Sequence, residues 1–202
     1  MEDRLELVVY KEISKADIRK LSATSADAAT GGGARDLRFP WGAFENAMSR
    51  IFTISKEGGG ERPVRIARVS YVRDDELRKS DLEYWPPTNS RRWEGRIARI
   101  HESPELGKRP PRSDRGRVFV LLQRHADGVV WCSYAYEDEL RTTGVWPDVV
   151  RLPILRCIDA TAVLAAPNKA AIQGIIDLAD NSHYCHPLGP ATGAKEAADD
   201  AG

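Results

Sequence analysis

The strongest secondary-structure pattern in this chain is GRVFVLLQRHADGVVWCSYA, residues 116–135. Two runs rich in β-branched and aromatic residues flank HADG at 125–128, and the Asp-Gly pair suits the tight turn of a β-hairpin. Alternating apolar residues also occur upstream, in RLELVVYKEI at 4–13 and VRIARVSYV at 64–72. The first two thirds of the chain is therefore predicted to be rich in strands.

Helical patterns follow the hairpin. WPDVVRLPILRCIDATAVLAA at 146–166 and NKAAIQGIIDLAD at 168–180 both have apolar spacings typical of helices, and the end, GPATGAKEAADDAG, is small and polar. We expect an α+β chain with three parts. A β-body with flanking helices spans 1–136, a helical C-terminal extension packed on it spans 137–188, and a disordered tail spans 189–202.

Composition limits the function classes. The chain has 202 residues, 42% of them hydrophobic, and a formal net charge of zero, so a nucleic-acid site would have to be local. Its three cysteines, Cys132, Cys157 and Cys185, are odd in number and lie far apart, a pattern that fits a reducing cytoplasm better than a disulfide framework. The N-terminal sequence predicts neither a signal peptide nor a membrane span.

A glycine-rich stretch, RKLSATSADAATGGGARDLRFP, occupies residues 19–40. Three consecutive glycines let the backbone approach another molecule closely, and Arg35 and Arg38 follow them. Leu37, Arg38 and Phe39 alternate as in a half-buried strand. Phosphate would suit such a loop, and a flexible surface turn would explain it as well.

Basic residues concentrate in a second stretch, residues 89–117. It holds nine Lys or Arg against four Asp or Glu, a net formal charge of +5, and most of the excess is arginine. Within RRWEGRIAR, the residues Arg92, Glu94 and Arg96 share one face of any extended segment. Such a face offers donors to guanine and an acceptor to cytosine. A salt-bridge stripe on a strand has the same pattern, and both interpretations stay open.

These two stretches resemble the DNA-recognition domain of the EcoRII restriction endonuclease family. The first is similar to its N-terminal arm (basic residue, Leu-Ser-Ala, spacer, Thr-Gly-Gly, then Leu and Pro), and RRWEGRIAR resembles its second arm. The resemblance covers roughly residues 5–136. It implies a DNA-binding pseudobarrel whose two arms clamp the duplex and read the major groove. Gly33 and Arg38 depart from the family pattern, so the target sequence is not carried over.

The resulting hypothesis is a double-stranded DNA-binding module of a restriction or anti-phage system, which reads a short G/C-containing site. It would act with a separate nuclease or effector and have no nuclease activity, cofactor or metal of its own. The predicted base-reading residues are Arg92, Glu94, Arg96 and Arg38. The predicted backbone-binding residues are Lys20, Ser22, Thr30, Gly31, Gly32, Arg35, Arg91, Arg99, Arg109 and Arg112.

Two rival functions remain at this point. One is a Mg²⁺-dependent nuclease that uses Glu94, Glu102 or Asp114, and the other is an interaction or effector-sensing module without DNA binding. The cluster HYCH at 183–186 has zinc-ligand residue types, but no second ligand pair lies at a suitable spacing, so we expect no zinc site.

Overall fold

The computed structural model describes residues 4–13, 36–40, 42–56, 63–73, 76–88, 94–98, 115–163, 171–186 and 189–190. Their arrangement is α+β, with many strands and few helices. The strands are β1 (Leu5–Glu12), β2 (Leu37–Pro40), β3 (Ile54–Lys56), β4 (Val64–Arg73), β5 (Glu76–Trp85), β6 (Glu94–Ala98), β7 (Val118–His125), β8 (Val130–Tyr136), β9 (Gln173–Asp177), β10 (Ser182–His186) and β11 (Gly189–Pro190). The helices are α1 (Ala43–Ile51), α2 (Glu137–Arg141) and α3 (Asp148–Val163).

All of these strands belong to one curled, mixed sheet in the order β11-β10-β9-β1-β7-β8-β4-β5-β6-β2, with β3 paired to β4 off this path. The β4–β8 pair is parallel, and the other pairs are antiparallel. The hairpin predicted at 116–135 is confirmed as β7 and β8. Its turn requires a glycine, because Gly128 has a φ of 84°.

The two faces of the sheet form two separate cores. Successive strand residues point to opposite faces, so Leu7 and Val9 of β1 face the concave side while Val8 and Tyr10 face the convex side. The concave core is filled partly by α1, which contributes Phe44, Met48 and Ile51. The convex core is covered by α2 and α3 through Leu140, Val150, Ile154, Cys157 and Ile158.

The helix predicted at 168–180 is wrong. Residues 173–177 form β9, which pairs with β1, and β10 pairs with β9. The spacing of Ile172, Ile175 and Ile176 suits a helix, but it equally suits a strand with both faces buried, and burial on both faces is what the structure shows. Gly174 lies opposite Tyr10 of β1, and a Cβ there would overlap the Tyr10 ring, so the strand needs a glycine at this position.

The C-terminal region therefore adds strands as well as helices to the molecule. The helix predicted within 146–166 is confirmed as α3. Gly189 and Pro190, the first residues of the predicted disordered tail, form β11 against β10, and residues 191–202 lie outside the described residues. The proposed boundary between a domain at 1–136 and an extension at 137–188 stays a prediction.

The cysteine pattern argued against disulfides, and the structure corrects this for one pair of cysteines. Cys157 of α3 and Cys185 of β10 form a disulfide with a Cα–Cα distance of 5.9 Å, whereas Cys132 is buried and is not part of a disulfide. The two half-cystines are separated by 28 residues and meet in the convex core, where α3 packs against β9, the neighbour of β10. Within the described ranges, no helix has both the length and the apolar character needed to span a membrane.

Candidate functional site

The described candidates for base reading lie on two paired strands, β2 and β6. In this antiparallel pair Arg38 lies opposite Arg96, and Pro40 lies opposite Glu94. Leu37, Phe39, Gly95 and Ile97 are buried on the concave side, while Arg38 is exposed and Glu94 and Arg96 are partly exposed. The alternation predicted for Leu37, Arg38 and Phe39 is thus confirmed, and the segment that carries Glu94 and Arg96 is extended. The pairing of the two strands brings Arg38, Glu94 and Arg96 together on one convex surface.

Arg38 and Glu94 form a loose ion pair. The distance between Arg38 Nη1 and Glu94 Oε1 is 3.4 Å, and the two side chains are 50% and 30% exposed. An ion pair with this much solvent access contributes about 0–1 kcal/mol to stability. Either partner can therefore leave the pair at low cost when another charged or polar group approaches.

Arg96 is held much more firmly than Arg38. Its Nη1 donates a hydrogen bond of 3.1 Å to Oδ2 of Asp36, whose side chain is only 7% exposed. The guanidinium carbon of Arg96 also lies 5.4 Å from the ring centroid of Trp85, which is its cross-strand partner on β5. We name the set Asp36, Arg38, Trp85, Glu94 and Arg96 the charged face.

Sequence reasoning missed Asp36 and Trp85 as members of this face. Asp36 stands two residues before Arg38, so the strand alternation contained a hint of its position. Trp85 is set beside Arg96 only by the pairing of β5 with β6, which no local pattern indicates.

The backbone of β6 is placed by a close approach to β5. A Cβ at Gly95 would lie 2.6 Å from Cζ of Tyr84, so only glycine fits between Glu94 and Arg96 without displacing the phenol ring. Tyr84 is buried in the concave core, where its ring also packs against Phe52. The concave core therefore fixes the strand that carries Glu94 and Arg96.

The two stretches identified in the sequence join the sheet at neighbouring points. In the glycine-rich stretch, Asp36 follows the three glycines and precedes Leu37, and Leu37 pairs with Ile97. The arginine-rich segment continues from Ala98, one residue beyond Ile97. The residues at which both segments attach are thus adjacent across the β2–β6 pair.

The other predicted contact residues lie outside the described residues. They are Lys20, Ser22, Thr30, Gly31, Gly32, Arg35, Arg91, Arg92, Arg99, Arg109 and Arg112.

A second polar cluster lies between α1 and the β9–β10 pair. It lines a cavity of about 260 Å³ with residues that include Arg50, Asp177, Asp180 and His183. Arg50 donates a hydrogen bond to Asp177, and Asp177 accepts another from the backbone N–H of Ala179. Arg50 and Asp177 thus satisfy each other, which accounts for this pair as a structural contact.

His183 of this cluster shares a hydrogen bond of 2.8 Å with the hydroxyl of Tyr10. Burial, with a smaller contribution from the nearby Arg156, lowers the pKa of His183 to about 4, so the imidazole is neutral at pH 7. Burial also raises the pKa of Tyr10. With Cys185 in a disulfide, the HYCH stretch lacks a thiolate that could bind zinc.

Within the described residues, no three His, Cys, Asp or Glu side chains are grouped as a metal site would need. Compared with family models, with curated proteins and with solved structures, the chain matches none.

Proposed function

We propose that this chain binds double-stranded DNA and reads a short G/C-containing site as the recognition module of a restriction or anti-phage system. In this proposal the curled sheet is a DNA-binding pseudobarrel, and a separate nuclease or effector acts on the site that it recognises. The resemblance of the two arms to the EcoRII family motivates the proposal, and the charged face supports it.

One observation carries the proposal: two arginines and a glutamate share one surface at the end of the sheet from which both basic segments continue. Arginine places paired donors opposite guanine O6 and N7, and glutamate accepts from the amino group of cytosine. Extended strands hold these groups at a fixed two-residue spacing, so they can meet neighbouring base pairs in register.

The energies allow Arg38 and Glu94 to form a salt bridge in the unbound protein and to read bases in the complex. The Arg38–Glu94 pair contributes about 0–1 kcal/mol, whereas a good contact to the matching base discriminates by about 1–3 kcal/mol. The cost of separating the pair is therefore smaller than the gain from a correct site. In the unbound protein the pair neutralises Glu94, which would otherwise repel DNA phosphates.

The test is selection of bound sequences from a randomised duplex pool, with and without methylated cytosine, followed by affinity measurements over a range of salt concentrations. We expect one preferred G/C-containing site, an affinity that falls with salt, and no cleavage in Mg²⁺. Cleavage would favour the nuclease alternative. Absence of any duplex binding would favour an interaction or effector-sensing module and overturn the proposal.

A matched pair of variants tests whether the charged face makes the contact. Arg38→Ala should weaken binding to the preferred site at least about fivefold, which corresponds to 1 kcal/mol. Arg68→Ala removes an exposed arginine of β4 whose bidentate partner is Asp81, and it should leave binding unchanged. Equal effects of the two substitutions would show that the contact is general electrostatic attraction and not a property of this face.

A further inference from the structure

We propose that Asp36 and Trp85 are positioning residues that hold the Arg96 guanidinium ready to read guanine, so that Arg96 determines specificity more strongly than Arg38. The inference rests on the proposed function. It concerns which residues set the preference for a base pair, and it follows from the different restraints on two arginines that lie opposite each other.

Asp36 provides the first restraint. Its carboxylate is almost fully buried, and it accepts a hydrogen bond from Nη1 of Arg96. A buried carboxylate needs a charged or hydrogen-bonded partner, so Asp36 keeps Arg96 in place in the unbound protein. Only Nη1 is engaged among the residues that the structure describes, so the other N–H groups of the fork stay available for a base.

Trp85 provides the second restraint. The Arg96 guanidinium lies over its ring at 5.4 Å, a distance at which cation–π attraction operates. The ring is itself oriented, because its Nε1 donates a hydrogen bond of 3.3 Å to Oε2 of Glu83. One restraint is a hydrogen bond at Nη1 and the other is a contact with the Trp85 ring, so together they limit the positions that the guanidinium can take.

Among the residues that the structure describes, none provides Arg38 with either kind of restraint. Its contact with Glu94 is an ion pair at 3.4 Å between two side chains that are both open to solvent. Ordering a free arginine on a base costs about 0.5–1.5 kcal/mol of side-chain entropy. Arg96 loses this entropy when the protein folds, because Asp36 and Trp85 already hold it in the unbound protein. Arg96 should therefore discriminate between bases with little loss on binding, while Arg38 contributes more evenly to all sequences.

The experiment measures the affinity for the preferred duplex and for every single-base-pair variant of it, together with the melting temperature. Arg96→Lys, which keeps the charge but loses the fork, identifies the base pair that Arg96 reads. Asp36→Asn and Trp85→Leu should then each reduce discrimination at that same base pair at least about threefold. Binding to non-specific duplex should be retained. Asp81→Asn, which breaks the exposed Arg68–Asp81 pair, is the matched control and should change nothing.

Each outcome has one meaning. If Arg96→Lys loses discrimination at one base pair while Asp36→Asn and Trp85→Leu both retain it, the positioning role is refuted and the proposed function survives. If these two variants weaken all duplexes equally, their role is structural stability alone and the inference is also refuted. If the wild-type protein shows no duplex preference, the proposed function itself fails. Should Asp36→Asn not fold, Trp85→Leu decides the question.

Discussion

Reduction of the Cys157–Cys185 disulfide should lower the stability of the protein substantially. The bond joins α3 to β10 across the convex core, and both cysteines are at most 3% exposed. Reduction changes no side chain other than these two, so the effect on unfolding reports the cross-link itself. The comparison is therefore the same protein with and without a reductant such as a trialkylphosphine.

The expected magnitude follows from the sequence separation of 28 residues. A loop of this length restricts the unfolded chain by an entropy that corresponds to about 3.5 kcal/mol at 25 °C. The unfolding entropy of a chain of this size is roughly 0.4 kcal/mol/K, so the melting temperature should fall by about 8 °C. Denaturation in urea should show the same loss as a lower midpoint.

Thiol titration in denaturant supplies the first check, because the unreduced protein should expose one reactive thiol, that of Cys132. The variant Cys132→Ala should remove that thiol and keep the full response to reductant, whereas Cys157→Ala/Cys185→Ala should melt at the same temperature with and without it. Three reactive thiols in the unreduced protein, or a melting temperature that reductant does not change, would refute the reasoning.

Three further predictions concern single side chains. Gly95→Ala should reduce the free energy of unfolding by about 1–3 kcal/mol, because the added Cβ overlaps the Tyr84 ring. Urea denaturation measures this free energy, and an unchanged value would mean that β6 is not held against Tyr84. The folded-state pKa of His183, about 4, lies below its ordinary value of 6.5, so the unfolded chain binds more protons between these two pH values. The free energy of unfolding should therefore fall as the pH drops from 6.5 to 4. The variant His183→Gln should lose that part of the pH dependence, and identical profiles for the variant and the wild type would contradict the burial of a neutral imidazole. Glu94→Gln should relax the preference at one base pair by about 1–3 kcal/mol while non-specific binding stays equal or improves; a lowered melting temperature with unchanged discrimination would instead identify Glu94 as a structural salt-bridge residue.

Local sequence patterns predicted the strands that have one apolar face and one polar face. The β7–β8 hairpin and the Leu37-Arg38-Phe39 alternation have one apolar and one polar side, and a period of two residues reveals such strands directly. Strand β9 has no such contrast, because Ile175 faces the concave core and Ile176 the convex core. Its apolar residues therefore fitted a helical pattern as well as a strand.

Contacts across the fold were beyond the reach of sequence patterns. Asp36 and Arg96 are 60 residues apart, and only the register of β2 against β6 places them together. The Cys157–Cys185 bond likewise depends on the packing of α3 against β9, the neighbour of β10, and a count of three cysteines argued against it. For the charged face, the sequence indicated the chemistry of Arg38, Glu94 and Arg96, and it indicated that these residues could share one face. It could not indicate which of them is held in place.

The charged face contributes no net charge, and this separates two tasks that a DNA-binding surface must perform. Arg38 pairs with Glu94 and Arg96 with Asp36, so their formal charges cancel. By contrast, residues 14–35, 89–93 and 99–114 contain ten Lys or Arg against five Asp or Glu, a net formal charge of +5. Attraction to phosphates depends on net positive charge and gives binding without sequence preference, whereas base reading depends on donors and acceptors at fixed positions. In a DNA-binding role these three basic segments would therefore supply the salt-dependent affinity. The paired side chains on β2 and β6 would supply the discrimination, and a chain of zero net charge could do both.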